Sequence, residues 1–248
     1  MEFSVDLAKR LNAATAKVQF VADAPRMKMK ERFGLLTVAA GLRQSGLFVH
    51  LEPGDLQQLR TIAISHGMFP LLTRSILLRP ERYDSYPEAI SRVFRERDAA
   101  SDHQVLWICG NNDGRNRVKF APGDSWDLLS YPACCVQSER RASAFVGEAF
   151  AKAIVDKAGG DPKLVRVALR DNWKVHIEVP DEFESFTSGL NIERTDATFP
   201  FALHIACDAC LEAANSPTAE LNRLYAAFAQ ELDPAVYEGF VAAASSKD

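Results

Sequence analysis

The chain has 248 residues, 47% of them hydrophobic and 25% charged, with a formal net charge of −4. Folding at this length buries about three quarters of the surface exposed by the unfolded chain, so neither disulfides nor a metal is needed to hold a core. The excess of acid argues against nucleic acid as a partner, because non-specific affinity for it comes from neutralised phosphates. No run reaches the roughly 18 apolar residues of a membrane span. Met1 to Asp6 lacks the basic and apolar regions of a signal peptide. The expected compartment is a reducing cytoplasm, where five cysteines mean free thiols, a metal site or redox chemistry rather than structural disulfides.

Val5, Leu7, Leu11, Ala14, Val18 and Val21 recur near the helical period, and Phe33, Leu36, Ala40 and Leu42 resume it after Pro25. Leu47 to Leu51 predicts a short strand. Asp55 is placed to cap a helix from Leu56 to His66, which Gly67 stops. A further helix opens at Tyr86-Pro87. Gln104 to Cys109 is a β-rich apolar run, then come Gly110-Asn-Asn-Asp-Gly114 and Arg117 to Phe120, a pattern that predicts a hairpin. Tyr131-Pro132 sets an extended approach to Cys134-Cys135. Behind it a helix runs from Ser138 to Lys157 and closes at Gly159-Gly160. Leu164 to Leu169 and Trp173 to Val179 fit helix and strand equally, and Pro180 to Thr198 reads as a polar connection. The resulting fold class is α+β and predominantly helical, with a small hairpin or sheet around residues 103–120 and a C-terminal helical segment. We expect a helical N-terminal region over 1–100 and a cysteine-bearing α+β region over 101–248, sharing one core.

The chemistry-bearing residues are Cys134-Cys135 and Cys207-x-x-Cys210, with His204 three residues before the second pair. Thiolates placed at helix starts are acidified by the helix dipole and free N–H groups. A C-x-x-C spacing lets two sulfurs meet one ion or close a redox disulfide. Two such pairs supply the four thiolates wanted by zinc or by an iron–sulfur cluster, and His204 is a candidate ligand or support. The metal set is therefore Cys134, Cys135, Cys207, Cys210 and His204, with iron–sulfur or zinc undecided. Adjacent cysteines are an awkward chelate, because their side chains diverge. Whether the chain is an enzyme stays open. A cluster-dependent enzyme would leave one coordination position open for a small-molecule substrate, with Asp113 and Arg115 reaching over the site to hold it. The other readings are a closed structural zinc in a non-catalytic binding protein and a thiol redox or acyl-transfer enzyme with Cys135 as nucleophile. Cys109 alone reads as core, and His50, His66, His103 and His176 show no ligand spacing. No phosphate loop or nucleophile elbow occurs. Oligomeric state is not legible.

Tyr131-Pro-Ala-Cys-Cys135 and His204-Ile-Ala-Cys207-Asp-Ala-Cys210 resemble two motifs of a family of uncharacterised prokaryotic proteins, Tyr-Pro-x-Cys-Cys and His-x-Pro-Cys followed by a further cysteine. The similarity spans about residues 130–230, and Ala206 stands where the family has proline. It implies a shared cysteine site and no particular reaction. In order alone, the five cysteines also resemble the cluster-binding domain of heterodisulfide reductase subunits, although Val136 replaces the glycine expected there.

Overall fold

The computed structural model describes residues 29–48, 52–74, 83–100, 104–120, 127–232 and 234–245. The first expected helix, His50, His103 and Trp126 lie outside them. The first described helix, α1 (Met29–Ala39), is buried continuously from Phe33 to Ala40. A helix with apolar residues on every side has no wet face, so α1 runs through the middle of the core. It ends at Gly41, whose φ of 71° is the left-handed geometry that a side chain would strain.

Three antiparallel strands follow from different parts of the chain: β1 (Ser45–Phe48), β2 (Phe69–Arg74) and β3 (Gln104–Cys109). The order is β1-β3-β2, with Trp107 opposite both Leu47 and Leu71. Between β1 and β2 runs α2 (Pro53–Ser65). Its N-cap is Glu52, and Asp55 sits in its first turn instead of capping it. Gly67, at φ 71°, ends the helix as expected. Both faces of β3 are covered, which explains its unbroken apolar run. Leu106 and Ile108 enter the main core with α1. Val105, Trp107 and Cys109 enter a second cluster with Val118, Leu128 and Leu129.

The small sheet around 103–120 is present, but its hairpin is not. The segment after β3 is a helix, α4 (Asn112–Phe120). Asn111 Oδ1 accepts the Gly114 N–H at 2.8 Å, so the Asn/Gly-rich stretch caps a helix rather than turning a ribbon. Side chain-to-backbone bonding of this kind serves turns and helix starts alike, so composition did not separate them.

Upstream of β3 lies α3 (Glu88–Ala100). Two long-range partners build its cluster: α5 (Ala133–Lys157) and α6 (Pro162–Arg170). Phe94, Ile154, Val165 and Ala168 are its fully or nearly fully buried members. Asp161 caps α6 by accepting the Lys163 N–H at 2.8 Å, and Pro162 occupies the first turn. Residues 173–180 are neither helix nor strand. The expected connection at 180–198 instead forms α7 (Asp181–Thr187) and α8 (Leu190–Thr198), joined at Gly189 with φ 81°. The chain closes with α9 (Asp208–Glu212), α10 (Pro217–Leu232) and α11 (Pro234–Ser245). Tyr225 and Phe228 of α10 and Phe240 of α11 surround Phe33 at ring separations of 5.2 to 6.4 Å, locking the C-terminal helices to α1.

Candidate metal centre

Cys134 and Cys135 lie in the first turn of α5, which begins at Ala133 rather than Ser138. Side chains on a helix lean toward its N-terminus, so two neighbours in the first turn both reach beyond the helix end. That geometry removes the objection to adjacent cysteines. Cys207 is the N-cap residue of α9, and the Cys210 N–H bonds the Cys207 carbonyl at 2.9 Å. This tight turn presents both sulfurs of the C-x-x-C to the same point.

The four sulfurs converge. Cys134 Sγ lies 3.5 Å from Cys210 Sγ and 4.0 Å from Cys135 Sγ. Cys135 Sγ lies 3.7 Å from Cys207 Sγ and 3.6 Å from Cys210 Sγ. All four fall within 4.8 Å of one another, close enough to bind one metal ion. None is in a disulfide, whose sulfurs would stand about 2.05 Å apart. Cys135, Cys207 and Cys210 are buried and Cys134 is exposed, so the group opens to solvent on one side only.

Polar contacts fix the surrounding backbone. The Cys207 N–H points at Cys135 Sγ at 3.4 Å. Ser216 Oγ donates to the Cys210 carbonyl at 2.9 Å and accepts the Ala219 N–H at 3.2 Å, so one hydroxyl caps α10 and ties it to the C-x-x-C. Thr195 Oγ1 accepts the Ala206 N–H at 2.9 Å. Asp208 bonds Arg194 at 3.0 Å and Ser185 at 3.1 Å, pinning α9 to α8 and α7. Helix α7 in turn meets α5 through Arg141–Glu182 at 2.9 Å and Phe145–Phe183 at 5.2 Å.

The expectation that helix starts acidify Cys134 and Cys135 is corrected. Burial pushes both thiols up, and for Cys134 the hydrogen bond its thiol gives to Cys210 and the negative charge of the Cys207 and Cys210 sulfurs add to the shift. Only Cys210 moves the other way, to about 7. Its burial alone would raise it, but hydrogen bonds from Thr218, Cys134 and Cys135 to its thiolate outweigh that.

His204 is not in the sulfur group. Its Nε2 lies 3.1 Å from Thr218 Oγ1, and Thr218 Oγ1 lies 3.4 Å from Cys135 Sγ. Burial pulls its pKa down to about 4, helped by Arg43 and Lys30, so the imidazole is neutral at pH 7. Asp113 and Arg115 stand on α4. Among the described residues no hydrogen bond or ion pair joins either to the sulfurs, and Arg115 acts electrostatically on Cys109. Cys109 ends β3 fully buried, with its thiol raised to about 11 by that burial. Thr218, Ser216, Thr195 and Asp208 were not anticipated. Ser216-Pro217 is a readable helix start, whereas nothing in the sequence marks Thr218 or Thr195. Among the described residues no helix is long and apolar enough to cross a membrane. No protein-family model, curated protein or solved structure matches the chain.

Proposed function

We propose that Cys134, Cys135, Cys207 and Cys210 hold a single zinc ion as thiolates, and that the ion fastens the start of α5 to α9 and its N-cap. The sulfur spacing carries this reading. A zinc–thiolate bond of about 2.3 Å sets neighbouring sulfurs of a regular tetrahedron about 3.8 Å apart. Four of the separations here run from 3.5 to 4.0 Å. An iron–sulfur cluster spreads its thiolates over several irons and needs a wider frame, so the tight spacing supports one ion. Four protein sulfurs also fill a tetrahedral shell, which supports a structural centre over a catalytic one with an open position. The buried, raised thiol of Cys135 weighs against its use as a nucleophile. A reducing compartment belongs to this proposal, as does kinship with the family whose two motifs the chain resembles.

One observation favours a second reading. The exposed Cys134 lies 3.5 Å from the acidified Cys210, the arrangement of a dithiol–disulfide couple in a metal-free protein. Purification without oxygen, followed by metal analysis and an absorption spectrum, separates these cases. A colourless protein with about one zinc per chain supports the proposal. A brown protein with iron and labile sulfide refutes it in favour of a cluster. Absence of metal leaves the dithiol, which trapping of a Cys134–Cys210 disulfide would reveal.

A further inference from the structure

Behind the sulfurs stands a buried polar chain that needs an explanation. Thr218 is fully buried, with its hydroxyl between Cys135 Sγ and His204 Nε2. His204 is 7% exposed, and its Nδ1 is buried with no hydrogen-bond partner. The Tyr131 ring lies against the imidazole at 5.0 Å, and the Arg43 guanidinium lies 5.1 Å from that ring. Arg43 is 4% exposed, bonds the Leu129 carbonyl and the Tyr131 hydroxyl, and has no carboxylate partner among the described residues.

A hydroxyl has one proton to give, so the chain has two arrangements. In the first, Thr218 donates to His204 Nε2. The imidazole proton then sits on Nδ1, a buried donor with nothing to receive it, and the sulfur gains no bond. In the second, Nε2–H donates to Thr218 Oγ1, and the threonine proton points at sulfur. Nδ1 then keeps only a lone pair. Leaving a buried group unpaired costs about 1–3 kcal/mol, and hydrogen bonds to ionised acceptors are roughly twice as strong as neutral ones. Both arrangements leave Nδ1 unpaired, so that cost is common to them, and once the sulfurs are thiolates the charge-assisted bond to sulfur favours the second. The uncompensated Arg43 cation beyond Tyr131 adds to the same preference, because negative charge on the sulfurs answers it.

We infer that Thr218 and His204 are positioning residues of the metal centre: His204 orients the Thr218 hydroxyl so that it donates to thiolate sulfur and draws off part of its charge. The inference rests on the metal reading above. Outer hydrogen bonds of this kind change metal affinity by about 10–100-fold.

The test uses the full chain loaded with zinc or cobalt(II). Thr218→Val keeps the shape and removes the donor, and Thr218→Ser restores it. Zinc affinity is measured by competition with a coloured chelator, and the sulfur-to-cobalt charge-transfer band is recorded in parallel. Thr218→Val should bind zinc about tenfold or more weakly. It should also move the band to lower energy, because sulfur without its donor is more electron-rich. Thr218→Ser should match the wild type in both. His204→Leu should follow Thr218→Val, and His204→Gln, whose amide offers an N–H near the Nε2 position, should follow the wild type. This second pair decides the matter if Thr218→Val does not fold. A band that stays in place in both Thr218→Val and His204→Leu overturns the inference while leaving the metal reading intact. Failure of the wild type to take up either ion overturns the metal reading and this inference with it.

Discussion

Zinc affinity should fall steeply with acid, and the structure sets a lower bound on the slope. In the metal-free protein the Cys134 and Cys135 thiols are raised above their ordinary value of 9.0, so both carry protons at pH 7. Zinc binds the thiolates, and those protons must leave. Two protons released per ion make the apparent affinity drop about 100-fold for each unit that the pH falls. Cys210, lowered to about 7, is already a thiolate above that pH and contributes no proton there. Below it Cys210 is protonated as well and steepens the slope by about another tenfold per unit. Folding linkage for Cys210 has the matching sign: its depressed value contributes stability present above its unfolded value and lost as pH falls through about 7. The assay is competition against a chelator of known proton affinity at half-unit steps from pH 6 to 8. A change of less than tenfold per unit would refute the assignment of protonated thiols as the ligands.

Three further outcomes follow from named contacts. Chelation of zinc from a protein equilibrated at one hundred times its dissociation constant removes about 2.7 kcal/mol and should lower the melting temperature by about 5–10 °C. Protection from hydrogen exchange should be lost first in the opening turn of α5 and around residues 204–219. Phe33→Ala, which empties the point where α1, α10 and α11 meet, should cost about 3–5 kcal/mol in denaturant unfolding. Metal content should not change in Cys109→Ala or Arg115→Gln, because both positions lie outside the sulfur group. Loss of zinc in either would show that the cluster extends to β3.

Much of the local structure was legible because it is written in local chemistry. Gly67 and Gly159-Gly160 end their helices where left-handed backbone requires them. The apolar run at 104–109 is a strand, and it is unbroken because two cores cover it. The differences have separate local causes. Asn and Asp next to glycine serve hairpin turns and helix caps equally, so composition at 110–114 does not tell a turn from the cap in which Asn111 holds the Gly114 N–H. The 180–198 segment carries many charges and few apolar residues, and its helices are held by contacts with α5 and α9 rather than by a strong stripe of their own. Strand β2 is not legible in the sequence because Pro70 breaks the usual strand pattern, although an edge strand tolerates proline.

The amino-acid sequence by itself determined which atoms are available: four thiols in two pairs, each pair beside a helix start, and a histidine near the second. Reactivity and ligand spacing are properties of residue type and short-range order, so they can be read from the chain. Only the tertiary structure decided which groups meet. Cys134 and Cys210 are separated by 76 positions and lie 3.5 Å apart because α7, α8 and α9 fold the C-x-x-C back against the first turn of α5. The same packing took His204 out of the sulfur group and gave it to Thr218, and it left Arg115 acting on Cys109 instead. Such pairings depend on burial and on contacts made across long loops, and no local pattern encodes them.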